Sequence, residues 1–212
     1  MRTRKYLSKS YTSKIMPDPV EKSFSAAVLA GGASQRFGSP KGEAQVDGRS
    51  LVEHVYDAVK QLADEVMLSL GATADRPQTE LRGMIPIVDE FRGCGPLAGI
   101  HACLRMATHP WLVVVACDLP FVRTESLRKL ISACDEPWVV VHAGVTGGQA
   151  QPLCGCYHRS VLDDLDRAIY EGRYGVHRFL EEVTHVRRID LPARELINVN
   201  RPDDLAPSRD TP

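Results

Sequence analysis

The chain has 212 residues, 43% apolar and 25% charged, a composition that suits one soluble α/β domain and excludes a disordered or fibrous chain. Its 26 basic and 27 acidic side chains leave a net charge of −1, which excludes a broad nucleic-acid-binding surface. No apolar run approaches the roughly 20 residues that span a bilayer, so the expected setting is cytoplasmic, with no membrane partner.

Residues 1–23 carry six basic and two acidic side chains and read as a solvated leader. A transit peptide is the other reading, but an amphipathic arginine-rich face and an h-region are both missing. A single domain is expected over 24–206, with 207–212 as a tail. The apolar run 26–30 ends in Gly31-Gly32 and reads as a first strand. Ser50-Leu-Val-Glu53 is a capping box that opens a helix with Leu51, Val55, Val59 and Leu62 on one face. Strands are expected at 65–70 and 85–88. A helix runs from Gly95-Pro96 to Met106, with proline at its first position. The run 111–116 is apolar and rich in valine, the pattern of a strand buried on both faces. Helix is expected at 124–134, strand at 138–143, strand at 151–157, helix at 160–170 and 176–183, and a last strand at 185–190. This alternation predicts an α/β fold, a single Rossmann-like three-layer domain with a mostly parallel sheet. Ligands in such folds bind outside the carboxyl ends of the strands.

The six cysteines, at 94, 103, 117, 134, 154 and 156, form no C-x-x-C pair and read as reduced and structural. Period-2 alternation puts Cys154 and Cys156 on one strand face. The seven histidines are scattered singly, so zinc spacing is not met. His54 reads as a packed or edge histidine, and His142, His158, His177 and His185 have no evident partners. Asp163, Asp164 and Asp166 read as an acidic helix start that suits the dipole.

Two strand ends carry the chemistry. The first is the segment 29–41, Leu-Ala-Gly-Gly-Ala-Ser-Gln-Arg-Phe-Gly-Ser-Pro-Lys. Its glycines allow a tight turn that brings amide N–H groups to an anion, and Arg36 and Lys41 add charge. It is neither a P-loop nor a dinucleotide fingerprint. The alternative is a glycine-rich surface turn; the two cations favour phosphate binding. The second is Cys117-Asp118-Leu119-Pro120, directly after the run 111–116. Asp118 there can hold Mg²⁺ against a triphosphate, or simply hydrogen-bond the turn before Pro120.

Together these motifs resemble the nucleotidyltransferases of molybdenum cofactor biosynthesis, the MobA family. The likeness continues through Val88-Asp89-Glu90, Gly95-Pro96-Leu97-Ala98-Gly99, Gln151-Pro152-Leu153 and Asn198-Val-Asn200-Arg-Pro202-Asp-Asp-Leu205, covering about residues 25–205 in order. The resemblance implies a nucleotide-diphospho-sugar transferase type of fold. It also implies an enzyme that joins GMP from GTP to the phosphate of molybdopterin and releases pyrophosphate. Gly31-Gly32 matches the guanylyl branch, where the cytidylyl branch commonly has Ala-Gly. Mapped onto this chain, the resemblance places Leu29, Ala30, Gly31 and Gly32 at the nucleotide, Lys41 on the triphosphate and Asp89 on the nucleotide. It makes Asp118 the Mg²⁺ ligand, with Arg36 assisting Lys41 and Asp118 in catalysis. Asn198 and Asn200 would serve the acceptor or the metal, or else form a turn before Pro202. Ser69 stands where the family often has Asn, which puts one base or ribose contact in question. The implied partners are GTP and molybdopterin, with a molybdoenzyme or its chaperone as protein partner. A CTP or sugar nucleotidyltransferase and a non-catalytic nucleotide-binding module are the rival readings. Gly-Thr-Arg-Leu, usual in the sugar type, is replaced here by Ser34-Gln-Arg36-Phe.

Overall fold

Every residue of β1 (Phe24–Leu29) and β6 (Trp111–Ala116) is buried, and the two strands pair in parallel from Phe24 opposite Trp111 to Leu29 opposite Ala116. A computed structural model describes residues 23–31, 45–71 and 82–200. These two strands are the middle of its main sheet, whose order is β5-β4-β1-β6-β8-β7-β9. The remaining strands are β4 (Glu65–Ser69), β5 (Ile85–Ile87), β7 (Val140–Gly144), β8 (Ala150–His158) and β9 (Val186–Asp190). All pairings are parallel except those that β8 makes with β6 and β7. The reversal has a local cause. Only five residues, 145–149, separate β7 from β8, with Gly147 at φ +68° and Gly148 N–H donating to Val145 O at 2.7 Å. So short a turn joins antiparallel neighbours, whereas a parallel crossover needs a dozen residues or more.

Helices cover both faces. On one, α1 (Leu51–Val59) and α3 (Thr124–Ser132) pack Leu51, Val55, Leu127 and Leu130 against Val113 and Val115. On the other, α2 (Pro96–Met106), α4 (Leu162–Tyr170) and α5 (Val176–Glu182) pack Leu97, Leu104, Leu165 and Phe179 against Leu112 and Val114. The alternate valines of β6 therefore serve two cores, which is why its sequence reads as an unbroken apolar run. Ser25 is the polar residue inside β1, and its hydroxyl is satisfied by Glu65 Oε1 at 2.6 Å.

The capping box forms as expected. Ser50 Oγ accepts from Glu53 N–H at 3.2 Å, and Glu53 Oε2 accepts from Ser50 N–H at 2.7 Å. The expected strand at 138–143 begins instead at Val140, because Trp138 N–H closes a turn onto Asp135 O at 2.9 Å. The expected helix 124–134 ends at Ser132, where Ala133 and Cys134 turn out of helical geometry. One hairpin escaped the sequence reading: β2 (Gln45–Val46) and β3 (Arg49–Ser50) join through Asp47 and Gly48, at φ +49° and +76°. Asp-Gly with both residues at positive φ is the hairpin turn matched to strand twist, so a signal was present in the sequence.

All six cysteines are buried and none forms a disulfide. Cys154 and Cys156 share one core face with Cys134, and burial pushes the Cys154 thiol up to about 12. Among the described residues no helix is long and apolar enough to cross a membrane. Substituting Ser50→Ala removes one half of the capping box and is expected to cost about 1 kcal/mol, measurable by urea unfolding.

Candidate active site

The carboxyl ends of β1, β4, β5 and β6 are bound into one edge by backbone hydrogen bonds. Ala30 N–H donates to Ser69 O at 3.0 Å, Cys117 N–H to Leu29 O at 3.0 Å, Leu70 N–H to Ile87 O at 2.9 Å and Asp89 N–H to Gly71 O at 3.0 Å. Gly31 leaves β1 against the chain leaving β4. A Cβ on Gly31 would stand 2.5 Å from Gly71 N and 2.6 Å from Gly71 Cα, so backbone touches backbone and only glycine fits. Gly32, Arg36 and Lys41 lie outside the described residues.

Asp89 follows β5 and is partly buried. Ser69, 2% exposed, donates from Oγ to Asp89 Oδ1 at 3.1 Å. The serine that departed from the family pattern thus orients the neighbouring carboxylate. Its position depends in turn on α2: a Cβ on Gly99 would meet Ser69 Oγ at 2.7 Å, so any side chain there would displace the hydroxyl. Burial holds the Asp89 carboxyl above its ordinary value, and the Ser69 hydrogen bond opposes that rise.

Asp118 follows β6, half-buried, and its carbonyl accepts from Val199 N–H at 2.8 Å. Val199 is 1% exposed and anchors the closing segment, so Asn198 and Asn200 flank the strand end that carries Asp118. Gln151 Nε2 holds the same segment through Leu196 O at 3.3 Å and Asn198 Oδ1 at 3.4 Å. The buried Glu195 accepts from Arg123 N–H at 3.2 Å, tying the segment to the start of α3. The structure thus brings Leu29, Ala30, Gly31, Asp89, Asp118, Asn198 and Asn200 to one edge of the sheet. Among the described residues no group of three or more His, Cys, Asp or Glu is arranged as a metal cage.

Residues 26–188 match the MobA-like NTP transferase domain. The chain belongs to that family. A probable molybdenum cofactor guanylyltransferase of Halalkalibacterium halodurans is 34% identical over 187 residues, covering 84% of this chain and 94% of the relative. The molybdenum cofactor guanylyltransferase of Pseudomonas aeruginosa strain LESB58 is 31% identical over 203 residues, covering 92% and 99%. Among solved structures, molybdopterin-guanine dinucleotide biosynthesis protein A from Archaeoglobus fulgidus superposes with a TM-score of 0.69. It is 28% identical, with 85% of this chain and 94% of that chain covered. The fold is the nucleotide-diphospho-sugar transferase type, and this MobA-like chain is a nucleotidyltransferase.

The MobA-like site has a brace that the sequence reading missed. Phe91, two residues after Asp89, sets its ring edge-on to His101 at 5.3 Å and to Tyr170 at 5.8 Å. His101 is fully buried, and its Nε2 lies 2.8 Å from Asp166 Oδ1, joining α2 to α4. Asp166 is therefore more than an acid suited to the helix dipole; it holds a buried histidine whose Nδ1 has no hydrogen-bond partner among the described residues. A histidine amid the apolar residues of α2 was the available signal, since a buried ring nitrogen needs a polar partner. His142 and His158 also have partners, Ala143 O at 2.8 Å and Ser160 Oγ at 2.9 Å. His54 packs at the helix edge as expected, its Nε2 donating to Val46 O at 2.9 Å.

Two stability measurements test this construction. Because the native state binds the Asp89 proton more readily than the unfolded chain, ionised Asp89 costs stability. That cost is absent below the ordinary carboxylate range and complete above the raised native value. Asp89→Asn, which retains an acceptor for Ser69, is expected to raise the urea midpoint at pH 7, with the gap to wild type narrowing towards pH 4. Asp166→Ala strands the His101 ring and is expected to cost about 1–3 kcal/mol in the same assay.

Proposed function

We propose that this protein transfers GMP from GTP to the phosphate of molybdopterin, releasing pyrophosphate. The observation that carries the reading is the convergence of Gly31, Asp89 and Asp118 on one sheet edge in a MobA-like chain. The guanylyltransferase names of its relatives support guanine over cytosine.

Nucleotidyl transfer needs alignment and charge neutralisation at the α-phosphate more than covalent chemistry. The backbone of Leu29, Ala30 and Gly31 would lie against the base and ribose, where the absence of a Cβ at Gly31 permits close approach. Gly32, Lys41 and Arg36 would continue that surface onto the triphosphate and stabilise the leaving pyrophosphate. Asp89, oriented by Ser69, would contact the nucleotide. Mg²⁺ suits the donor set: it takes one or two carboxylates and completes its shell with phosphate oxygens and water, and Asp118 supplies one partly buried carboxylate. When bound, the metal would neutralise charge on the phosphates. Asn198 and Asn200, beside Asp118, would border the acceptor. That acceptor is a phosphate monoester, largely ionised at neutral pH, so no strong general base is required. The reading places the enzyme in the cytoplasm and its product with molybdoenzymes or their chaperones.

The test is calorimetric titration with GTP, CTP and ATP in Mg²⁺, followed by pyrophosphate release with molybdopterin present. GTP is expected to bind in preference to CTP and ATP. Asp118→Ala is expected to abolish Mg²⁺-dependent turnover while the circular dichroism spectrum is unchanged. Preferential CTP binding, or binding without turnover, would displace the reading, and near-normal turnover in the variant would remove Asp118 from the metal.

A further inference from the structure

Asp118 stands at the middle of the sheet edge. Gly31 and Asp89 occupy the half towards β5, which the reading above gives to the nucleotide. The other half, the ends of β8, β7 and β9, has its own set of polar side chains. His142 is 6% exposed and sits where the β7–β8 register shifts, between His142 and Ala143. Such irregularities re-aim a strand side chain and recur beside active sites. The 2.8 Å approach of His142 Nδ1 to Ala143 O requires a proton on Nδ1, which leaves Nε2 as the nitrogen free to gain or lose one.

Directly opposite His142 in the β9 register is Arg188. Its guanidinium lies over Gly144, where a Cβ would come within 2.6 Å of Cζ, so the glycine makes room for the cation. Arg188 Nε pairs with Asp190 Oδ1 at 3.2 Å and Nη2 donates to Val145 O, which fixes the plane of the group. Nη1 makes no hydrogen bond among the described residues. His177 of α5 lies close enough for its charge, with that of Arg188, to disfavour a proton on His142; burial is the larger cause. The charged and titratable groups gathered here are thus Arg188, His177 and His142, with Asp190 balancing one side of the guanidinium.

We infer that His142 and Arg188 form an anion subsite that holds the acceptor substrate by an anionic group distant from its reacting phosphate. The distance follows from the sheet. Neighbouring strands are about 4.8 Å apart, so β7 lies about 10 Å from β6 across the sheet, and His142 is level with Val114, four residues before Asp118, too far to touch the phosphate that is attacked. An oxyanion or thiolate there would accept from Arg188 Nη1 and from His142 Nε2 once protonated, and would screen the cations from one another. Charge-assisted bonds of this kind are about twice as strong as neutral ones. A phosphate monoester lacking the second anionic group would leave Arg188 Nη1 unmet and His142 unprotonated and would bind more weakly, which makes the corner a specificity device.

The inference rests on the assignment of Asp118 as the point of transfer, and two measurements separate its failure from failure of that assignment. In the first, sodium molybdate, a tetrahedral oxyanion, is titrated into the wild-type chain without nucleotide while the histidine ring nitrogens are followed by ¹⁵N NMR. The His142 signal, assigned by its loss in His142→Gln, is expected to shift saturably towards the protonated form, and Arg188→Met is expected to abolish the shift. An unmoved His142 signal at millimolar molybdate overturns the subsite whether or not the chain is a guanylyltransferase. In the second, Arg188→Met is expected to raise KM for molybdopterin about tenfold while GTP affinity by calorimetry stays within twofold. An unchanged KM, or a parallel loss of GTP affinity, overturns the subsite's role in acceptor binding. Absence of wild-type transfer to molybdopterin would defeat the functional reading and with it this role.

Discussion

Burial of β1 and β6 on both faces is the constraint from which the rest of the molecule follows. Two apolar cores press on these strands, and their polar backbone groups are consumed in pairing, parallel between β4, β1 and β6 and antiparallel between β6 and β8. No functional side chain can stand on either face without displacing core, so chemistry is confined to the places where the strands end. There the chain is free of one core and not yet in the next helix. Leu29 and Ala116 finish in register, and the residues that follow them, Ala30-Gly31 and Cys117-Asp118, emerge side by side.

A second level of organisation holds those exits in place. The contact of Gly31 with Gly71 lets the chain leaving β1 lie against the chain leaving β4, and the Asp89 amide closes onto the carbonyl of Gly71. Ser69 is caught between Asp89 and the small residue Gly99, so the carboxylate, the hydroxyl and α2 are set by one packing arrangement. Phe91, His101 and Asp166 repeat the principle further out and tie the same loop to α4. On the far side, Val199 and Gln151 pin the closing segment beside Asp118. Each functional strand end is supported by a contact to a residue remote in the chain, which is how loops acquire the precision that catalysis requires.

What could be read from the amino-acid order divides along the same line. The run 111–116, the Ser50–Glu53 box and the proline at the start of α2 were legible because burial period, capping and fixed φ act over a few residues. Gly31 and Asp118 stood out as a glycine and a carboxylate at expected strand ends, each with a simple turn as its alternative reading, and Asp89 entered only through the resemblance to the MobA family. Ser69 was marked only as a departure from the family's usual Asn, and its bond to Asp89 was not legible, since a serine in an apolar strand announces no partner 20 residues away. For the His101–Asp166 pair, 65 residues apart, a histidine amid apolar helix residues signalled that some polar partner was needed, but nothing in the order of residues said which. The reversal of β8 could have been inferred from the short 145–149 connection, yet the alternation of elements gave no strand direction. The β2–β3 hairpin was overlooked although Asp47-Gly48 marks it.

The net charge of −1 hides an uneven distribution that the sheet edge makes explicable. Asp89 and Asp118 bring carboxylates to the half assigned to an anionic nucleotide, which is repulsive unless cations intervene; a divalent metal and the Arg36 and Lys41 side chains are of the required sign. The corner inferred to hold the acceptor has Arg188, paired on one side with Asp190, and beside it His142, whose burial disfavours a proton until an anion arrives. A metal-bound triphosphate has part of its charge already neutralised and can meet carboxylates. An acceptor arriving without its own metal cannot, and needs cations supplied by the chain. On the proposed assignment the two halves would meet two substrates that carry their charge differently, and the average over the whole sequence conceals both arrangements.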